Sequence, residues 1–471
     1  MTIAVDTGAH RTEHDLLGDL DVSADAYYGI HTLRALHNFP ISGTPISRHP
    51  DLVVALASVK SAAAQANNDL GLLSDEHTHA IVTACDDIRR GELHEHFVVD
   101  VIQGGAGTST NMNANEVIAN RGLDVLGKPR GEYTHLHPLE HVNHGQSTND
   151  VYPTAVKIAI MAALTRLQTA LTGLLAAFAA KAVEFADTIK MGRTQLQEAV
   201  PMTLGQEFGT YAVMVGEDIS RLTEAAQLAR EINLGGTAIG TGLNAHPDYP
   251  ALACRHLRSL TGLDLVTADD LVEATQDAGV FVQISGTVKR TAVKLSKICN
   301  DLRLLSSGPR AGFGEIALPA VQAGSSIMPG KVNPVIPEVV NQVAYEVVGN
   351  DVTITMAAES GQLQLNAFEP IIAHKLLESI GHLTAAVDTL TVRCIPGITA
   401  DTDHLRSTVD HSIGLVTALN PHIGYDAATA LAARALTSNH TITELVLDAG
   451  LLTPEEIANI LTPDNLARRQ R

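Results

Sequence analysis

Gly324-Ser325-Ser326-Ile327-Met328-Pro329-Gly330-Lys331-Val332-Asn333-Pro334 gathers glycines, two hydroxyls, one ammonium and one amide into a single segment. Gly324 and Gly330 open backbone angles that other residues resist, while Pro329 and Pro334 limit the segment at its middle and end. Such a loop can move and still close to one shape. Lys331 can pair with a carboxylate, and Ser325 or Ser326, once deprotonated in a water-poor setting, can act as base or nucleophile. The same letters also describe a plain turn, with Asn333 as N-cap and Pro334 at N1 of the next helix.

Outward from this loop the chain reads as helix. Ala/Leu/Val-rich periodicity predicts long helices over 154–189, 203–232, 270–305, 334–359 and 373–392, a central five-helix bundle domain spanning 147–396. Ile158-Ala159-Ile160-Met161-Ala162-Ala163-Leu164 is apolar nearly all round, so the bundle has more than one buried face, and oligomer formation would bury the surplus. Residues 1–146 read as a mixed, mostly helical first domain, with a helical pattern over 51–70. Residues 397–471 read as a small C-terminal helical domain with breaks at Asn420-Pro421 and Thr453-Pro454. The fold class expected is mainly α, in three domains.

Composition agrees. A chain of 471 residues exceeds the size at which one core keeps growing. With 45% hydrophobic residues, 3% aromatics and no Trp, its interior must be built from Ala, Leu, Val and Ile. A net charge of −20, with Arg468-Arg469-Gln470-Arg471 the only dense basic run, argues against a nucleic-acid partner. It does not forbid an anionic substrate, because a pocket can be locally positive. Cys85, Cys254, Cys299 and Cys394 lie too far apart for a zinc site or a disulfide framework, so reduced thiols and a cytoplasmic location are expected. No basic and apolar leader opens the sequence. The apolar run from Leu167 to Ala180 is shorter than the roughly 20 residues a membrane-spanning helix needs, and no membrane partner is expected.

Three other places join hydroxyls or amides to the start of a helical pattern, where free N–H groups and the helix dipole favour anions. They are Gly104-Gly105-Ala106-Gly107-Thr108-Ser109-Thr110-Asn111, then Gln146-Ser147-Thr148-Asn149-Asp150, then Gly192-Arg193-Thr194-Gln195-Leu196-Gln197 ahead of a helix near 201–203. Each alone also fits a capping box or a turn. Together the four loops supply many neutral donors and one cation, which is what a small dicarboxylate requires. No Walker A, G-x-G-x-x-G, H-E-x-x-H or G-x-S-x-G motif is present. His135, His137, His141 and His144 cluster without a metal-ligand spacing and read as a polar loop.

The four loops together resemble the fumarase/aspartase superfamily, whose signature G-S-S-x-M-P-x-K-x-N runs unbroken from Gly324 to Asn333. The likeness extends from Asp25-Ala26-Tyr27-Tyr28-Gly29-Ile30-His31-Thr32-Leu33-Arg34 to Gly450-Leu451-Leu452-Thr453. Ser147-Thr148-Asn149-Asp150, Val335 to Val343, and Gly361-Gln362-Leu363-Gln364-Leu365-Asn366 are similar to the aspartase branch. Gln195 stands where fumarases place a histidine paired with a glutamate, here Glu338, and a glutamine cannot titrate in such a relay.

The resemblance implies reversible deamination of L-aspartate to fumarate and ammonia. In that scheme Ser325 removes a Cβ proton, leaving an aci-carboxylate dianion. Thr108, Ser147, Thr148 and the backbone at Ser326 are its expected donors, with Thr194 beside them. Lys331 and Asn333 would hold the α-carboxylate, and Asn149 with Gln195 would orient the amino group. The resemblance further implies a homotetramer with a shared helical core, each active site being assembled from three subunits. It implies no organic cofactor and no resident metal, although some relatives respond to divalent cations. A fumarate hydratase, an argininosuccinate or adenylosuccinate lyase, and a non-catalytic relative are the alternatives. Gln195 and Thr148 speak against the first, Val335 to Val343 against the second pair, and intact Ser325, Lys331 and Asn333 against the last.

Overall fold

The computed structural model describes residues 8–324, 326–438 and 440–466. Helices dominate, and the described strands pair only into two-stranded sheets. The chain divides into two compact units. One comprises Met1–Gln168, Arg221–Arg290 and Glu346–His382, the other Thr169–Ser220, Thr291–Tyr345 and Leu383–Arg471.

The five expected long helices are present as Thr148–Glu184, Leu204–Leu228, Gly279–Leu305, Val335–Glu359 and Glu369–Arg393. Their ends depart from the sequence reading where side chains intervene. The helix expected from residue 270 is interrupted, because extended Asp277 ends Leu271–Gln276 and its carboxylate accepts the Gly279 N–H at 2.9 Å, restarting the chain as a new helix. Residues 231–232, expected as helix, instead pair in parallel with Val266–Thr267. The expected break at Asn420-Pro421 does not occur, since Leu415–Ile423 runs through Pro421 near its C-terminal end. Thr453-Pro454 does mark a boundary: Thr453 and Glu456 form a capping box with Pro454 in the first turn.

In the first unit the Pro50–Asp69 helix packs against Asp75–Arg89 and Tyr249–Thr261. Covered on more than one side, it buries Leu52, Val53, Leu56, Val59, Ala62, Ala63 and Ala66. Each large side chain so removed from water contributes roughly 1.5–3 kcal/mol. The Thr108–Val125 helix adds a buried glutamate, Glu116, whose carboxylate accepts N–H groups of Gly29, His31 and Thr32 and the Thr32 hydroxyl. Burial nevertheless pushes Glu116 up to about 7. A Cβ on Gly29 would lie 2.5 Å from the Glu13 carboxylate and 2.7 Å from the Tyr133 hydroxyl, so a larger residue there would force these side chains to shift.

The second unit has two cores. Phe178, Phe185, Phe208 and Tyr211 cluster, with three pairs edge to face at 5.4–5.7 Å between ring centres and Phe178–Phe208 tilted at 6.3 Å. A separate cluster joins Ile189 and Met191 to Val409, Leu415, Leu419, Leu431, Leu445 and Val446, so the C-terminal helices pack on the base of a β-hairpin.

The Thr148–Glu184 helix corrects one expectation. It is 37 residues long and its most apolar window is long and hydrophobic enough to cross a membrane, whereas the sequence reading counted only the run between two charged residues. About 56% of that window is buried inside the protein, and Asp150, Lys157 and Lys181 on the same helix are buried too. Lys157 donates to the Glu231 carbonyl and Lys181 to that of Ile398, both at 2.7 Å, as in a protein core.

Candidate functional site

Gly105, Ala106 and Gly107 have φ of 90°, 55° and 92°, three successive left-handed residues that turn the chain into the Thr108–Val125 helix. A Cβ on Gly107 would lie 2.5 Å from the Tyr152 ring. Thr108 opens the helix exposed, but its hydroxyl donates to the Gly105 carbonyl at 2.7 Å. Its proton is therefore committed to the backbone, and a substrate would have to displace that bond.

The 146–150 loop is both a cap and a donor array. Ser147 caps the Thr148–Glu184 helix: its hydroxyl oxygen accepts the Asn149 N–H at 3.2 Å, and its own N–H donates to Asp150 at 2.9 Å. Pro153 has no N–H to give the Asn149 carbonyl one turn back, and the Asn233 amide donates to that carbonyl at 3.0 Å instead. Fully buried Asp150 also accepts from Gly235 and Thr237 at 2.9 and 3.0 Å. Burial raises its carboxyl to about 6, with these donors and Lys60 drawing it back. Asn149 donates to the Ala238 carbonyl at 2.7 Å, leaving its carbonyl oxygen available to an ammonium group. The Asn111 amide donates to the Thr148 hydroxyl oxygen at 3.1 Å, which brings the start of the 108–125 helix beside Thr148.

The third loop does precede a helix, Leu204–Leu228, as expected, but a strand lies between the two. Strands Ile189–Thr194 and Gln197–Thr203 form an antiparallel hairpin whose tip is Gln195-Leu196, both residues at positive φ. A two-residue connection of that kind matches the right-handed twist of the strands. Thr194 and Gln195 are exposed there. Lys190 at the base is buried between Glu207 at 2.5 Å and Glu315 at 2.8 Å, and Arg193 also pairs with Glu315. A cavity of about 300 Å³ is lined by Lys190, Arg193, Gln195, Glu207, Lys297 and Asp301. Its cations are all paired, Lys297 with Asp301.

The 324–334 loop is different. Ser325 lies outside the described residues. Ser326 and Lys331 are exposed and Asn333 is half-buried. No ion pair engages Lys331 among the described residues, which leaves its charge for a ligand. The loop is pinched at its base, for a Cβ on Gly324 would collide with the Lys331 carbonyl. The following helix begins at Val335, with Glu338 N–H bonding the Pro334 carbonyl at 3.1 Å, so Pro334 sits one place earlier than an N1 residue.

Within the first unit Ser147, Thr148 and Asn149 are consecutive, with Thr108 one turn from Asn111. Within the second, Thr194 and Gln195 share the hairpin tip, and Ser326, Lys331 and Asn333 share the loop. Sequence reading missed Lys60, Asn111, Asn143 and Asn233, and the glycine-rich run Gly235-Gly236-Thr237-Ala238-Ile239-Gly240 that clamps Asp150. The density of glycine in that run was its available signal. Two of the clustered histidines serve the backbone: the His137 ring accepts N–H groups of Leu139 and Glu140, and the His141 ring accepts that of His137.

A lyase family profile matches residues 18–349, and a fumarase C C-terminus profile matches 415–468. An aspartate ammonia-lyase of Pseudomonas fluorescens is 59% identical over 99% of this chain and 98% of its own. A fumarate lyase:delta crystallin from Brucella melitensis, solved bound to cobalt, is 56% identical with a TM-score of 0.95, covering 98% of this chain and 100% of its own. A class II fumarase from Schistosoma mansoni is 35% identical with a TM-score of 0.92, over 98% of this chain and 100% of its own. The profile spans most of the chain and these relatives match it end to end, so the chain belongs to the lyase family of the fumarase/aspartase superfamily.

Proposed function

We propose that this chain catalyses the reversible deamination of L-aspartate to fumarate and ammonia. The observation that carries the reading is the 59% identity to an aspartate ammonia-lyase over nearly all of both chains. It makes the chain a carbon–nitrogen lyase. Gln195 favours ammonia over water as the leaving group, because it cannot relay a proton.

In the proposed reaction Ser325 takes a Cβ proton, the carbanion spreads into the β-carboxylate, and the Cα–N bond breaks to release ammonia. Ser147 and Thr148 each accept a bond from the protein and keep a hydroxyl proton to give to the doubly negative intermediate. Removing one such donor costs roughly 2.7–4 kcal/mol in comparable sites. Lys331 and Asn333 hold the α-carboxylate, and the Asn149 side-chain oxygen, with Gln195, orients the amino group. The substrate's own carboxylate is the electron sink, so no cofactor is required; a response to divalent cations is a separate property. We also propose a homotetramer in which three subunits supply each active site, located in the cytoplasm, where the four free, buried cysteines stay reduced.

Incubation with L-aspartate should release fumarate, read by its absorbance, and ammonia in equal amounts. Fumarate formed from L-malate but not from L-aspartate would replace this reading with a hydratase. The assay repeated with chelator, then with added divalent cation, reads out metal response.

A further inference from the structure

Lys60 is fully buried, and its Nζ keeps N–H groups to donate whether it is ammonium or amine. It reaches the Asn143 side-chain oxygen at 2.7 Å and that of Gln146 at 3.0 Å. The Asn143 NH2 group donates to the Gln146 carbonyl at 3.1 Å, which fixes the orientation of this amide, oxygen toward the lysine. That oxygen also faces the side chains of Asn111 and Asn115, each at 3.2 Å, and both must present their NH2 groups to it. Turning either amide would set oxygen against oxygen. Both are held this way although it leaves each with a buried carbonyl oxygen that has no partner among the described residues. The second N–H of Asn111 points to the Thr148 hydroxyl oxygen at 3.1 Å. Thr148 is thus an acceptor on the protein side, and its own proton is left over. A hydroxyl that accepts one hydrogen bond donates a stronger one.

We propose that Asn111 is a positioning residue for the lyase reaction. Through a chain of bonds whose polarity starts at Lys60, it commits the Thr148 oxygen as acceptor and reserves the Thr148 proton for the negative charge that develops on the substrate. This inference rests on the aspartate ammonia-lyase reading.

Asn111→Asp keeps the side chain's size but offers Thr148 no N–H, and it draws the Thr148 proton inward. Thr148→Val removes the hydroxyl at nearly constant shape. In the full-length enzyme each should lower kcat for L-aspartate by roughly 10- to 1000-fold while KM changes less than about threefold, since the charge being stabilised develops in the transition state. Inhibition by succinate, a dicarboxylate that cannot react, should change equally little. The double variant should fall no more than about threefold below Thr148→Val alone, because Asn111 acts only through that hydroxyl. Asn111→Ala serves in the same cycle if Asn111→Asp melts below the assay temperature. Wild-type turnover of aspartate combined with near-normal Asn111 variants, or with penalties that multiply in the double variant, overturns this inference alone. A wild-type enzyme inert toward aspartate overturns both it and the functional reading.

Discussion

Glu369 opens the Glu369–Arg393 helix fully buried, and burial raises its carboxyl to about 8, with Lys157 drawing it back. Unfolded, it would release its proton near 4.5. The folded state therefore binds more protons between those values, so the stability this group contributes is complete below about 4.5 and is lost as pH rises through about 8. Glu116 and Asp150, raised to about 7 and 6, act with the same sign; Lys60, lowered by burial to about 7, acts oppositely above that pH. The melting temperature should decline from pH 5 to 8, and Glu369→Gln should flatten that decline. An unchanged slope in the variant would exclude Glu369 as its source. At the reacting centre, Ser325→Ala should cut kcat by orders of magnitude with aspartate still bound, and Lys331→Met should chiefly raise KM. Single-turnover kinetics and binding measurements separate the two. That Lys331 lies exposed on a loop and that Ser147, Thr148 and Asn149 sit at a helix start was legible, because glycines and capping residues mark such places through local chemistry. Asn111 and Lys60 were not, because their part arises only when residues 83 positions apart, Lys60 and Asn143, meet in space.

Glycine 107 decides how one element meets the next. Alanine there would take a φ of 92° and press on the Tyr152 ring, costing about 2–5 kcal/mol from left-handed strain and overpacking combined. Denaturant melts of Gly107→Ala should show a loss of that size, and a loss below about 1 kcal/mol would mean the ring yields freely. Leu196 presents the reverse case. It is 64% exposed at the hairpin tip with a φ of 64°, a conformation glycine adopts without penalty. Leu196→Gly should raise stability by about 0.5–1 kcal/mol, the relief of strain exceeding the added freedom of the unfolded chain; a lower melting temperature would show that Leu196 packs against something. The long helices were readable because an Ala/Leu/Val period sustained over many turns has no competing interpretation. The hairpin was not: Gln195-Leu196 carries no Gly or Asn to mark its turn, and Thr203 beyond it does precede a helix, Leu204–Leu228.

Val213, Val293, Tyr345, Val352 and Met356 are more than half exposed, and the last three fall on one face of the Val335–Glu359 helix. Apolar surface repeated along helices of this length is what a shared helical core would cover. Against that attraction stands charge, since each chain carries −20 and like-charged subunits repel. The two forces differ in range and in their response to salt. Repulsion is screened beyond roughly 8 Å at physiological ionic strength and extends to about 30 Å at 0.01 M, whereas burial of valine and methionine barely responds over that interval. Light scattering should accordingly give four times the 49.8 kDa chain mass at moderate salt, with dissociation favoured as salt is withdrawn. Val352→Asp combined with Met356→Asp adds charge to the face that the proposed tetramer would cover, and should lower mass and turnover together. If three subunits build each site, no dissociated species can remain active, so a monomer turning over aspartate at the full rate would refute the shared site while leaving the identity of the reaction untouched.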